Sequence, residues 1–162
     1  MHYDAVARLV ILIALANGAP VLAKLALGPR LAYPLDGNVN FFDGRPLFGS
    51  AKTIRGLAAS LLATTACAPL LGVPFRVGLI VAATAMLGDL CSSFLKRRLG
   101  LAPSSKATGL DQIPESLFPL LACRKLFSLT LMDIVIGSAL FFVGGVLLSQ
   151  ALFRLGVRDR PY

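Results

Sequence analysis

Charge is scarce in this sequence. Only 15% of its 162 residues are Asp, Glu, Lys or Arg, where a soluble domain carries about 25%. Carboxylates are scarcer still, eight against sixteen Lys and Arg. The resulting charge of +8 is dispersed in small clusters between apolar segments. That is the pattern of basic loops beside membrane spans, and it speaks against a nucleic-acid-binding face. Cysteine is also rare. Cys67, Cys91 and Cys123 lie in apolar runs without metal-ligand spacing, so they read as small hydrophobic fillers. The N-terminus is not expected to be a cleavable leader: Asp4 precedes the single Arg8, a weak n-region, and the apolar run resumes from Val21 to Leu27.

What is abundant is apolar surface, with 56% hydrophobic residues and a mean hydropathy of +0.77. The length suits one domain, residues 1–162, without a second core. Apolar segments run from about Ala5 to Leu27, Ile54 to Leu71, Phe75 to Leu95, Asp111 to Cys123 and Leu129 to Phe153. Segments of roughly 17 to 25 residues span a bilayer as helices. The fourth is shorter, and is expected to be re-entrant, interfacial or continued into the fifth as a kinked helix. Pro114 suits a first helical turn and Pro119 a kink. The prediction is an all-α integral membrane protein of about five transmembrane helices, the fourth short or kinked. Asn17-Gly18-Ala19-Pro20 interrupts the first segment, either as a simple kink or as a cavity-lining break.

Five spans put residues 28–53, residues 96–110 and the C-terminus on one side. That side holds most of the cations, among them Lys52, Arg55, Lys96, Arg97, Arg98, Lys106, Arg158 and Arg160. The other side has Arg8, Arg76, Arg124 and Lys125. Basic loops stay in the cytoplasm. The protein is therefore expected in the cell (inner) membrane with the two loops, which form the site, facing the cytoplasm.

The most informative stretch is Gly88-Asp89-Leu90-Cys91-Ser92-Ser93-Phe94-Leu95-Lys96-Arg97-Arg98. A carboxylate at the centre of a spanning helix costs roughly 2.5 to 3.5 kcal/mol, so it needs protein, water or a metal ion as a neighbour. At about 100° per residue, Asp89, Ser92, Ser93, Lys96 and Arg97 share one face and Arg98 points away. Such a face suits a metal and the phosphates it carries.

Two loop regions complement it. Between Tyr33 and Gly56 are two Asp-Gly turns, Asp36-Gly37 and Asp43-Gly44, followed by Gly49-Ser50-Ala51-Lys52-Thr53-Ile54-Arg55-Gly56. A lysine and a hydroxyl at a helix start suit an anion, although the Walker A spacing is absent and Asp-Gly turns often only turn. Farther on, Asp111 stands at the mouth of segment four with Glu115 one turn deeper. Asp111 as a plain N-cap is the bland alternative, whereas Glu115 needs a partner. Asp133 is expected to pair with Arg124 or Lys125 outside the site. Asp89 and Asp111 among these cations suit Mg²⁺ bound through one or two carboxylates plus substrate phosphates. Phosphoryl or nucleotidyl transfer to a lipid phosphate follows as the expected chemistry.

The run from Gly88-Asp89 to Arg98 followed by Leu110-Asp111-Gln112 resembles the CTP-dependent lipid phosphate cytidylyltransferases. These include CDP-diacylglycerol synthase and the small CDP-archaeol synthases. Asp43-Gly44-Arg45-Pro46-Leu47-Phe48-Gly49, Lys52-Thr53-Ile54-Arg55-Gly56, Asn17-Gly18-Ala19-Pro20 and the tail Leu155 to Tyr162 are similar to the archaeol branch. The resemblance implies five membrane helices, Mg²⁺, CTP as donor, and attack of a lipid phosphate on the α-phosphate with loss of pyrophosphate. It makes Asp89, Asp111 and Lys96 the catalytic residues, with Asp89, Asp111 and Glu115 around the metal. It assigns Asp36, Asp43, Lys52, Thr53, Arg55, Ser93 and Arg97 to the substrates, with Lys52, Arg55 and Arg97 as phosphate contacts and Asp36, Asp43 and Ser93 ordering the loop and the nucleotide. In one departure, the family's second acidic residue, three after the position of Asp111, is replaced by Pro114, with Glu115 adjacent. Expected partners are CTP, a membrane lipid phosphate and the bilayer, with no nucleic acid and with a homo-oligomer left open. Two alternatives stand beside the enzyme: a small membrane transporter, and a catalytically weakened lipid-binding relative motivated by Pro114.

Overall fold

The computed structural model describes residues 2–102, 105 and 109–154, with side chains as far as Gln150. Helices are α1 (Tyr3–Leu27), α2 (Ile54–Cys67, prolonged by a 3-10 turn over Ala68–Leu71), α3 (Phe75–Arg98), α4 (Gln112–Ala122) and α5 (Leu131–Arg154). Tyr3–Leu27, Ile54–Leu71, Phe75–Arg98 and Leu131–Gln150 are long and apolar enough to cross a membrane. At 1.5 Å per residue α4 is about 16 Å long, too short to span. The protein is thus an all-helical membrane protein with a short fourth helix, as expected. The tail from Leu155, and Lys106 in the α3–α4 loop, lie outside the described residues.

Packing is polarised along the bundle. One end holds the hydrophobic core: Val6, Leu9, Leu12 and Ile13 of α1 meet Val77 and Val81 of α3, Leu120 of α4, and Ile134 and Phe141 of α5. The outer faces are equally apolar but uncovered; Leu62 is 72% exposed and Leu140 52%. Such a continuous apolar exterior is adapted to lipid.

Three expectations change in detail. First, α1 runs unbroken through Asn17-Gly18-Ala19-Pro20. The Asn17 amide donates to Ile13 O, and Pro20 packs on α2, where a Cβ on Gly56 would lie 3.2 Å from the Pro20 Cβ. Second, α3 continues one turn beyond Leu95, which brings Lys96, Arg97 and Arg98 into the helix; cations in a last turn complement the helix dipole. Third, Asp133 does not pair with Arg124 or Lys125. It is buried and accepts from the His2 backbone N–H (3.2 Å), the Thr130 N–H (2.9 Å) and the Thr130 hydroxyl (2.8 Å), with the His2 ring 3.2 Å away. Hydroxyl and amide donors close at hand fix the carboxylate in the first turn of α5, which ties the N-terminal end of the chain to that helix.

Candidate active site

The opposite end of the bundle is polar, and a helix crossing explains how. Gly88 of α3 lies against the first turn of α4. A Cβ there would come within 2.3 Å of Pro114 O and 2.8 Å of Glu115 N. Only glycine permits this approach. Pro114 fits because a residue in a first helical turn has no intrahelical N–H partner to lose. The contact delivers the next residue, Glu115, into hydrogen-bonding reach of the Asp89 side chain. From the α1–α2 loop, the Lys52 ammonium reaches both Asp89 oxygens at 2.5 Å. Two neighbouring carboxylates repel, and a cation beside them relieves the repulsion.

A second ion pair lies farther along the same face of α3. Lys96 Nζ is 2.6 Å from Asp111 Oδ1 and 3.4 Å from Ser105 O. Seven residues separate Asp89 from Lys96, about 10 Å along a helix. Ser92 and Ser93 are buried between them, Ser92 donating to Asp89 O at 2.9 Å. Asp111 is therefore not the plain cap of the bland alternative. It occupies the N-cap position of α4 with helical dihedrals and makes no side-chain capping bond; its carboxylate turns to Lys96.

The other expected substrate residues are dispersed. Asp36 organises the α1–α2 loop: Oδ1 accepts from Asn38 N–H (3.0 Å), and Oδ2 from Phe48 N–H (2.9 Å) and Gly49 N–H (2.8 Å). Asp43 pairs with Arg98 at 2.7 Å. Thr53 caps α2 by accepting from Gly56 N–H at 3.1 Å. Arg55 donates to Gly28 O (2.8 Å) and Arg30 O (2.5 Å), closing the end of α1. Arg97 is buried and donates to Ala102 O at 2.8 Å. The structure thus joins Lys52, Asp89 and Glu115, with Lys96 and Asp111 beyond them, and holds Asp36, Asp43, Thr53 and Arg55 at structural tasks around them. The expected metal set of Asp89, Asp111 and Glu115 does not close as a triad. Among the described residues no three carboxylate, imidazole or thiol groups converge on one metal position, and Asp111 pairs with Lys96. Asp89 and Glu115 remain as a pair.

Asp36 has a pH consequence. Burial raises its carboxyl, but the N–H groups of Phe48, Gly49 and Asn38 outweigh that and hold it below the ordinary 3.8. A lowered folded-state pKa contributes stability that is complete above the unfolded value and disappears as pH falls through the folded one. Melting temperatures of the detergent-solubilised protein, followed from about pH 5 to pH 2, are expected to fall with acid. Asp36→Asn is expected to start lower and to show a flatter profile. Parallel profiles would remove Asp36 as the source.

Sequence reasoning missed Arg45, Phe41 and Phe94, and dismissed Arg98 as pointing away. Arg98 does leave the Asp89 face, but its guanidinium lies 4.8 Å from the Phe41 ring centroid and 4.9 Å from that of Phe94. The aromatic pair Phe41-Phe42, polar-flanked in a loop, was the available signal.

Comparison with known proteins gives a consistent result. The profile of a family described as CarS-like CDP-archaeol synthase matches residues 9–162. A CDP-archaeol synthase of Sulfurisphaera tokodaii is 36% identical over 135 residues, covering 80% of this chain and 81% of that protein. One from Hyperthermus butylicus is 42% identical over 107 residues, 60% of this chain and 59% of its own length. The match to the Pyrococcus furiosus enzyme, 38% identical, also spans 60% of each protein. Against the Hyperthermus and Pyrococcus proteins, the chain thus aligns with about three fifths of the relative's length. A solved intramembrane enzyme of archaeal membrane lipid biosynthesis superposes with a TM-score of 0.72 at 29% identity, covering 85% of this chain and 90% of that one.

Proposed function

This chain belongs to the CDP-archaeol synthase family, and from that premise we propose that it transfers CMP from CTP to a membrane lipid phosphate, yielding a CDP-activated lipid and pyrophosphate. The relatives' names favour an ether-linked isoprenoid lipid as acceptor. One juxtaposition supports the reading: Lys52, Asp89 and Glu115 meet beside the Lys96–Asp111 pair, at one end of helices whose outer faces are apolar.

An oxygen of the lipid phosphate bonds to the α-phosphorus of CTP, the bond from that phosphorus to the bridging oxygen breaks, and pyrophosphate leaves with the electron pair. A phosphate monoester carries an unprotonated oxygen at neutral pH, so the chain need not supply a general base. It must supply cationic charge and alignment. Lys52 on the loop and Lys96 and Arg97 on α3 carry that charge. Magnesium takes one or two carboxylates and completes its shell with water and phosphate oxygens. Asp89 and Glu115 fit that donor set and would hold it, and the ion would neutralise the triphosphate. The lipid tails stay against the exposed faces of the spanning helices. The basic α1–α2 and α3–α4 loops face the cytoplasm in this proposal, where CTP is available.

Purified protein incubated with radiolabelled CTP, Mg²⁺ and an isoprenoid ether-lipid phosphate is expected to form labelled CDP-lipid, and EDTA is expected to stop it. Phosphatidic acid in a parallel reaction tests the acceptor class. Absence of labelled lipid with both acceptors would refute the transferase reading and favour a lipid-binding relative.

A further inference from the structure

The geometry points to Arg45 and Arg98 as positioning residues that clasp the two site-bearing loops onto the end of α3. Arg98 leaves α3 and enters the α1–α2 loop. Its guanidinium donates to Asp43 Oδ1 (2.7 Å), Pro46 O (2.6 Å) and Arg45 O (3.2 Å), packed against the Phe41 and Phe94 rings. Those rings meet edge to face, with centroids 5.3 Å apart. Arg45 reaches back from the loop and donates to Arg98 O (2.6 Å) and Arg97 O (3.3 Å), the last carbonyls of α3. Two like charges can lie this close because each is spread over a planar group and faces carbonyl oxygens of the other's segment.

The clasp reaches both loops. Gly100 turns the chain with φ +75°, and a Cβ there would lie 3.3 Å from the Arg45 guanidinium. Its neighbour Leu101 donates its N–H to Lys96 O at 3.0 Å. Arg45 therefore covers the turn at Gly100 with which the α3–α4 loop begins. In the α1–α2 loop, paired backbone at Asn40 and Pro46, the Asp36 contacts, and the pairing of Pro34 with Thr53 connect the clasp to Lys52. Holding the loop at Arg98 thus restrains Lys52 over Asp89.

The consequence rests on the cytidylyltransferase reading and has a definite kinetic form. An unclasped loop is competent only part of the time, and apparent affinity falls by the competent fraction. Saturating CTP restores the ordered loop, so turnover is largely retained. Arg98→Gln is expected to raise KM for CTP about tenfold, with kcat within about threefold. Arg98→Lys is not expected to rescue it, because one ammonium cannot replace a planar fork that stacks and donates to three acceptors. Hydrogen exchange read by mass spectrometry supplies a second reading that needs no activity. In Arg98→Gln, amides of residues 39–48 are expected to exchange at least about tenfold faster, with α1 and α5 unchanged.

Wild-type exchange in residues 39–48 would overturn the clasp. Faster exchange with unchanged KM, or full rescue by lysine, would overturn its positioning role. If the protein transfers no CMP, the exchange result still decides whether the clasp exists, so the two failures are distinguishable. If Arg98→Gln does not fold, Arg45→Gln removes the reciprocal donor from an exposed position and is read by the same two measurements.

Discussion

Asp89→Asn is expected to lower CDP-lipid formation by on the order of 10³-fold or more, since charge stabilisation at a metal-phosphate centre is worth several kcal/mol. The substitution is nearly isosteric, so the fold should persist. What it removes is the charge on which Lys52 converges with two 2.5 Å contacts and beside which Glu115 is held. The new amide also presents N–H toward an ammonium that has only donors. Both the proposed cation-binding pair and the placement of Lys52 are therefore expected to be lost together. The measurement is turnover with radiolabelled CTP, alongside the melting temperature of the same preparation. Activity within tenfold of wild type, with the melt unchanged, would remove Asp89 from the chemistry.

Gly88→Ala should cost about 100-fold in activity without touching a charged group. The added methyl meets backbone, Pro114 O at 2.3 Å, Pro114 C at 2.5 Å and Glu115 N at 2.8 Å, and backbone cannot rotate aside. The first turn of α4 has to withdraw and take Glu115 and Asp111 with it. A misplacement of about 1 Å costs on the order of 100-fold in rate, and overpacking costs typically 1–3 kcal/mol of stability. The better helix propensity of alanine, about 1 kcal/mol, offsets only part of that. Gly144→Ala is the matched control, because a Cβ at Gly144 has nothing within 4 Å. Equal activity and equal melts for the two variants would mean that the α3–α4 crossing does not set the site.

How legible the molecule was differs sharply between its parts. Long apolar runs with polar breaks mark α1, α2, α3 and α5 to within a few residues, because lipid compels every backbone group in a span to bond within its own helix. Length alone made the fourth segment ambiguous, and a short helix packed on α3 is the outcome. Asp89 could be singled out because a carboxylate in an apolar run demands a partner. The identity of the partner could not, since Lys52 lies 37 positions away in a loop whose path depends on Asp36, Asp43 and Thr53. Periodicity correctly put Arg98 off the Asp89 face. It carried no information about the loop that folds back to receive it.

The family motif made Asp43 a candidate for ordering the loop and the nucleotide, and Arg55 a phosphate contact. In the structure Asp43 pairs with Arg98, and Arg55 holds the end of α1. Pro114, the departure that raised the idea of a weakened relative, proves compatible with the crossing. It adopts a first-turn position and lays its carbonyl on Gly88.

By itself the sequence determined the solvent of this protein, the approximate bounds of its helices, the loops in which positive charge collects and the carboxylate that most needs explaining. All of these follow from local composition and period. Tertiary structure alone decided which charges meet. It joined Lys52 and Glu115 to Asp89, sent Asp111 to Lys96 and locked Arg45 to Arg98. Electrostatic pairing and close helix approach depend on distances between residues far apart in the chain, and only the packed bundle specifies those distances.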